Sequence, residues 1–381
     1  MVSMSYSLSF WRQFLFGVRR FPFGLALAFG ALTLWSGAAQ ALDLRVAITK
    51  GAGSVRVGSS TPGIVRDGAG KVVGSLDPLV PATATARGRG VSLGNWSASQ
   101  LTVEPQGEGV VWIGDRWYRG RVRLLRQGTG VTAVNQVNIE SYLYSVVGAE
   151  AIPSWPLEAL KAQAVAARTY AIYQSSKDSN RYYDLDTTTA TQVYKGLNAE
   201  YVSTVEAVEG TQGQVMTYGG KVILAAFHAA SGGHTENVEE VWTSPLPYLR
   251  GVVDYDHNSP VFQWDKSFTS AELGRIFGVG AVQVLTPVRT TARGRVVSLQ
   301  VQGSRGRKTF TGARVRQLLG LRSTLFTVSA EGGRFQIFGR GSGHGIGLSQ
   351  WGAYSLAQQG ISYPQILAHY YQNAALTQLE Q

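Results

Sequence analysis

From Asp43 to about Gln136 glycine cuts the chain into short pieces. Between the glycines, β-branched or apolar residues alternate with polar ones, as in LRVAITKGAGSVRVG and GRVRLLRQGTGVTAV. A period of two buries one face of a strand, and glycine turns at this spacing leave no room for a long helix. The pattern changes from about Val137 to Leu249, where helices are expected at Trp155 to Tyr173 and Ala199 to Glu209, with strands at QVMTY and KVILAAFHA. Strands and glycine turns return from about Val253 to Ser329 (GRVVSLQVQG, then KTFTGARVRQLLG with a short helix), and two helices close the chain. The expected fold class is α+β: a β-rich region over 42–136 packed with a mixed α/β region over 137–375, a β-rich insertion at about 253–329, and a cleft between lobes. With no tandem repeat and no Pro- or Ser-rich linker, the lobes are expected to pack together.

Residues 1–41 have the form of an export signal peptide. Arg19 and Arg20 precede an apolar run from about Phe21 to Trp35, and Ala39-Gln40-Ala41 is a small-residue cleavage motif. The run is shorter than the ~18 residues that a membrane span needs, and no later segment could span, so no integral span is expected after signal cleavage. The expected location is therefore outside the cytoplasmic membrane, periplasmic or attached to the cell wall. Cysteine is absent, which excludes disulfides, thiolate metal sites and a cysteine nucleophile. The formal charge is +11, and a basic exported surface suits an anionic envelope polymer; nucleic acid is not the expected partner.

VVGAEAIPSWPLEALKAQAVAARTYA, Val146 to Ala171, places one carboxylate, Glu150, after an apolar run and just ahead of a proline-marked helix start. A buried carboxylate is costly unless it is paired or holds its proton. On the helix, Leu157, Leu160, Ala164, Ala167 and Ala171 share the core stripe, and Gln163 and Tyr170 point roughly the opposite way. Lys161 and Arg168 fall at the stripe's edge, either as snorkelling surface cations or as cleft residues.

Near the C-terminus, GRGSGHGIGLSQWGAYSLAQQG (339–360) sets His344 among glycines at every second position. No dinucleotide register and no Walker lysine fit it. Alternating glycine instead lets backbone approach a ligand or another strand closely, with His344 as the feature so exposed. A capping box, Ser362 to Gln365, starts the last helix, and His369 on that helix is read as structural.

VNIESYLYSVVGAEAIPSWPLEALKAQAVAARTYA together with GRGSGHGIGLSQWGAYSLAQQGISYPQILAHYY resembles the stage II sporulation protein D family, the SpoIID/LytB domain. YRGRV (118–122), FHAASGGHTENVEEVW (227–242) and GLRST (320–324) extend the resemblance over most of the chain after residue 41. The resemblance implies action on peptidoglycan, either as a lytic transglycosylase that cuts glycan strands lacking stem peptides or as an enhancer of a separate cell-wall amidase. It also implies that Glu150 is the acid. The family often has Met-Pro directly after this Glu; here Ala151-Ile152 precede Pro153, a departure that bears on the aim of the carboxyl.

A lytic transglycosylase can work with one carboxyl, where a hydrolytic glycosidase usually uses two. Glu150 would protonate the bridging oxygen and then take the proton of the muramoyl C6 hydroxyl, closing a 1,6-anhydro ring, so its pKa must be raised by apolar surroundings. A cation directly against Glu150 would spoil the acid. Lys161 and Arg168 are therefore expected to meet substrate or another carboxylate, with Glu140 and Glu158 as candidate partners. His344 and Gln350 are expected to position glycan with them, and Trp155, Trp242 and Trp351 are candidates for stacking on sugar rings. His228, Ser231 and His234 are further cleft candidates. Ser231 lacks a nucleophile-elbow context and an evident acid partner. A zinc ion at His228 and His234, with Glu240 as a third ligand, stays open, but no cofactor is required and the metal content is unknown.

Overall fold

The structure, a computed structural model, describes residues 42–177, 182–187, 191–242 and 244–379. The expected export segment lies outside them. No helix among the described residues is long and apolar enough to cross a membrane.

The glycine-cut N-terminal segment forms two sheets. One has seven strands in the order Leu185–Asp186, Asp43–Ala52, Gly130–Asn138, Arg121–Gln127, Gln100–Pro105, Gly63–Asp67 and Val72–Leu76. The other has six, in the order Arg116–Tyr118, Val111–Ile113, Ser54–Ser59, Ala82–Arg87, Gly90–Leu93 and Trp96–Ala98. The alternation seen in the sequence becomes one core: Val46, Val57, Val65, Val91, Leu101, Val103, Ile113, Val122 and Leu124 are all fully buried. Leu185–Asp186 joins the first sheet parallel to Asp43–Ala52, tying the later chain to this region.

Among the described residues eight α-helices follow: α1 (Ile139–Glu150), α2 (Leu157–Lys177), α3 (Val202–Glu209), α4 (Val238–Val241), α5 (Ser270–Phe277), α6 (Gly312–Leu319), α7 (Gln350–Gln358) and α8 (Tyr363–Tyr370). The Asn138 side chain caps α1 by accepting from the N–H groups of Glu140 and Ser141. At the other end Ala151 is extended (φ −111°), and Pro153 disfavours helix at the residue before it, so α1 stops at Glu150. Glu150, which the sequence places only after an apolar run and ahead of a helix start, is thus the last residue of a helix of its own. The helix is not evident from periodicity because α1 is buried on more than one side and shows no clean 3.6-residue stripe.

Helix α2 is shared by two cores. Leu160, Ala164, Ala167 and Ala171, four of the five expected stripe residues, pack into the N-terminal core. Ala162, Val165 and Ala166, on the other side, join a second core with Ile346, Leu348, Ile366, Leu367, Tyr370 and Tyr371. Gln163 is only 2% exposed, so it does not face solvent as a two-sided reading of the helix suggests. The run of small alanines allows neighbouring elements to close on it from both sides. A third core is built from two three-stranded sheets (Gln263–Thr269, Arg334–Arg340, Phe326–Glu331; and Val282–Thr290, Val296–Gly303, Gly306–Thr311) with α5 and α6.

Candidate functional site

A cavity of about 490 Å³ opens beside the end of α1. It is lined by Glu150 from α1, Tyr170 from α2, Val193, the strand Phe227–His228, Trp242, Arg316 from α6, the Ser342–His344 loop and Gln350 at the start of α7. Glu150, His228, His344 and Gln350, singled out in the sequence, come together here from distant parts of the chain.

Burial raises the Glu150 carboxyl above the ordinary carboxylate range, against the opposing effects of the Val193 N–H and the Lys195 charge. The Val193 N–H donates to Oε1 at 2.7 Å. Oε2 has no protein hydrogen bond among the described residues, so a proton held there has no protein acceptor to compete with a ligand. The Gln350 amide donates to the Glu150 backbone carbonyl (3.0 Å) and to Gln163 Oε1 (3.3 Å), which fixes the helix end from which the carboxyl projects.

The two histidines form the opposite wall, with ring centroids 5.2 Å apart, and Trp242 lies against His344 at 4.9 Å. The Ile346 N–H donates to His344 Nδ1 at 3.1 Å, while His344 Nε2 sits 2.9 Å from the Phe227 carbonyl. These partners assign the proton to Nε2, and burial lowers the pKa to about 4, so the ring is neutral and both nitrogens are engaged. His344 can offer its ring face to a ligand but no free nitrogen. His228 Nδ1 lies 3.2 Å from the Ile346 carbonyl, leaving Nε2 buried without a partner. Burial, His344 and Arg295 hold His228 well below the usual histidine range, so it too is neutral.

Alternating glycine makes this wall. Gly343 has φ +114°, and a Cβ there would stand 2.6 Å from the His228 Cβ; Gly345 (φ +81°) lies over the buried Arg295 guanidinium, 2.4 Å from where its Cβ would be. The glycines let the loop lie flat on a histidine and an arginine.

Arg168 is fully buried and does not line the cavity. Its Nε donates to Glu140 Oε1 at 2.9 Å and its Nη2 to Glu140 Oε2 at 2.5 Å; it also donates to the carbonyls of Val208 and Gln214. It brackets α1, α3 and the strand Gln214–Tyr218; of the two partners expected for it, substrate or another carboxylate, the structure shows the carboxylate Glu140. Lys161 also lies away from the cavity, paired with Glu158 at 3.1 Å.

Ser231 and His234 are likewise outside the cavity lining. The Ser231 hydroxyl donates to Asp254 Oδ2 at 2.6 Å, whose other oxygen accepts from Tyr370, so the serine is tied to a carboxylate and not to a histidine base. His234 Nδ1 turns to the Thr235 carbonyl at 2.5 Å. Among the described residues no three His, Asp or Glu side chains are grouped to hold a metal ion, so the residues do not fit the zinc arrangement considered from the sequence.

Tyr170, Val193 and Arg316 are cavity residues that the sequence reading did not single out. Tyr170 carried a usable signal, an aromatic placed off the core stripe of an otherwise alanine-rich helix. Trp155 and Trp351 form a half-buried ring cluster with Tyr354, at 5.0 and 5.2 Å from Trp155, and Trp351 directly follows Gln350 in the chain.

A family model described as Stage II sporulation protein matches residues 127–218, which include Glu150, Tyr170 and Val193. A second model, a domain of unknown function (DUF8618), matches 254–347, which include Arg316 and His344. The chain is 35% identical over 266 residues to the stage II sporulation protein D of Bacillus amyloliquefaciens, a stretch covering 65% of this chain and 76% of that one. The chain belongs to the stage II sporulation protein D family. It is also 36% identical over 263 residues to an uncharacterized protein of Brachyspira hyodysenteriae, covering 67% and 70% of the two chains. A Bacillus subtilis protein named amidase enhancer is 32% identical over 292 residues, 62% of this chain but 40% of the longer relative. The cavity of this family member therefore draws on both matched segments and on the stretches between and after them.

Proposed function

We propose that this protein is exported and acts on peptidoglycan as a lytic transglycosylase, with Glu150 as acid and then base. The observation that carries the reading is the placement of a single carboxyl, raised in pKa by burial, on the wall of a cavity whose histidines are neutral. Glu150 Oε2 gives its proton to the glycosidic oxygen; the C1–O bond breaks and the leaving sugar departs as its alcohol. The carboxylate then removes the C6 hydroxyl proton while that oxygen bonds to C1, and the acid is restored. No second carboxylate is needed, which agrees with a cavity lining that holds only one. Gln350 keeps the helix end in register, the Trp242 and His344 faces offer stacking for sugar rings, and glycan strands are the ligand.

The second reading, a wall-binding protein that enhances an N-acetylmuramoyl-L-alanine amidase, is favoured by the similarity to the protein named amidase enhancer. The two separate on peptide-free glycan strands. Cleavage gives 1,6-anhydro-ended fragments by mass spectrometry, which disappear in Glu150→Gln. Stimulation of an added amidase with no such fragments would leave only the second reading.

A further inference from the structure

Arg316 is the one side chain of the cavity wall that carries a full positive charge without an ion-pair partner among the described residues. It stands in the last turn of α6, inside the segment matched by the second family model and well away in sequence from Glu150. Its Nε–H donates to the Leu321 carbonyl at 3.4 Å, and no protein group is bonded to either Nη nitrogen among the described residues. Neither Nη is a sealed, unsatisfied atom, and Arg316 is part of the cavity lining. A half-buried guanidinium in this state lacks both full hydration and a counter-charge, and a planar carboxylate supplies both through paired hydrogen bonds.

The position of this charge matters as much as its freedom. It acts on His228 and His344, helping to hold both rings neutral, but it is not among the charges that influence Glu150, where Lys195 is the cation felt. Within the lining, Glu150 thus feels the charge of Lys195, while that of Arg316 is felt at the histidine pair. Arg295, buried behind the loop, adds to the positive field there, although Glu236 partly offsets it. A neutral ligand would leave the Arg316 charge unanswered; an anionic one would be oriented along the cavity.

We propose that Arg316 anchors a carboxylate of the bound glycan, so that α6 of the β-rich insertion fixes which sugar lies against Glu150. Resting on the glycan-acting reading above, the assignment makes Arg316 a positioning and specificity residue. In peptidoglycan the carboxylate has two sources: the lactyl group of a muramoyl residue freed of its stem peptide, or an acidic group of the peptide itself.

The test uses the full chain carrying Glu150→Gln, so that ligand is not turned over, and isothermal titration with three probes: peptide-free glycan strands, the same strands with carboxyls converted to methylamides, and strands bearing stem peptides. Peptide-free strands should bind about tenfold or more tightly than amidated ones, as expected for a charge-assisted bidentate contact. Adding Arg316→Gln should abolish that difference, with an unchanged circular dichroism spectrum and cooperative melting showing that the variant is folded. Arg316→Lys should recover part of the preference. Arg316-dependent preference for the peptide-bearing strands supports the anchor and assigns its ligand to the peptide; the same preference for the peptide-free strands assigns it to the lactyl group. Equal binding of all three probes, or a preference that survives Arg316→Gln, overturns the proposal and leaves glycan action standing. Absence of binding to all three overturns both.

Discussion

The side-chain amide of Gln350 donates to the backbone carbonyl of Glu150, 200 residues earlier in the chain. That single hydrogen bond locks the start of α7 to the end of α1, and the same amide reaches Gln163 on α2. The carboxyl of Glu150 is thereby held by its backbone from one side and by the Val193 N–H from the other.

Removing the proton donor should remove the chemistry and little else. Glu150→Gln keeps an oxygen to accept from Val193, so the fold is expected to persist while glycan cleavage falls by about 10²-fold or more, the size of a general acid–base contribution. Counting anhydro-ended fragments per unit time in matched digests checks this.

Protonation gives the second expectation. Burial raises the Glu150 pKa in the folded protein, so the folded state binds this proton more tightly than the unfolded chain does. Its stabilising effect is full below the unfolded pKa and is lost as pH rises through the folded pKa. Glu150→Gln, which carries no charge to desolvate, is therefore expected to melt at a higher temperature than the native protein at pH 7, with the gap closing near pH 4. Cleavage by the native protein should decline as pH rises through the raised pKa. His344, with a pKa of about 4, should add no further limb between pH 6 and 8. Parallel melting curves and rate profiles between pH 4 and 8 read both.

Arg168 tests the division between framework and cavity. With its guanidinium wholly enclosed and Glu140 as counter-ion, Arg168→Met strands a carboxylate, and loss of one partner of a buried pair costs about 3–5 kcal/mol. Urea unfolding should show that loss, while affinity for glycan in the fraction still folded should be unchanged.

Gly343 connects backbone conformation to the cavity wall. Gly343→Ala places a methyl 2.6 Å from the His228 Cβ at a φ of +114°, which L side chains rarely adopt. The expected result is a loss of glycan binding larger than the loss of thermal stability, measured by titration and melting on the same preparation.

Much of the frame was legible in the residues. Period-two alternation and glycine turns marked the N-terminal sheets, and Pro156 and Ser362 marked helix starts, with the Ser362–Gln365 capping box formed as expected. The alanine stripe of α2 identified one buried face correctly. Its second buried face was hidden, because alanine serves a core and a solvent-facing surface equally well and only tertiary packing distinguishes them. In the site, Glu150 and the glycine-flanked His344 stood out because their residue types were unusual for their surroundings. Val193 did not, since it contributes a backbone N–H that any residue but proline carries. Arg168 and Ser231 drew attention as polar groups in apolar company, and both proved to be internal fasteners, one closed on Glu140 and the other on Asp254.

Because α2 is walled in by alanine contacts on both sides, and its second wall and the cavity lining include residues beyond 340, the chamber around Glu150 closes only once the Ser342–His344 loop and the start of α7 have docked. A polypeptide interrupted before residue 350 would possess the carboxyl but not its enclosure, and in open water that group would ionise and have no proton to give. The enclosure of this carboxyl is in this sense a long-range property, tied to a residue 200 positions further along the chain.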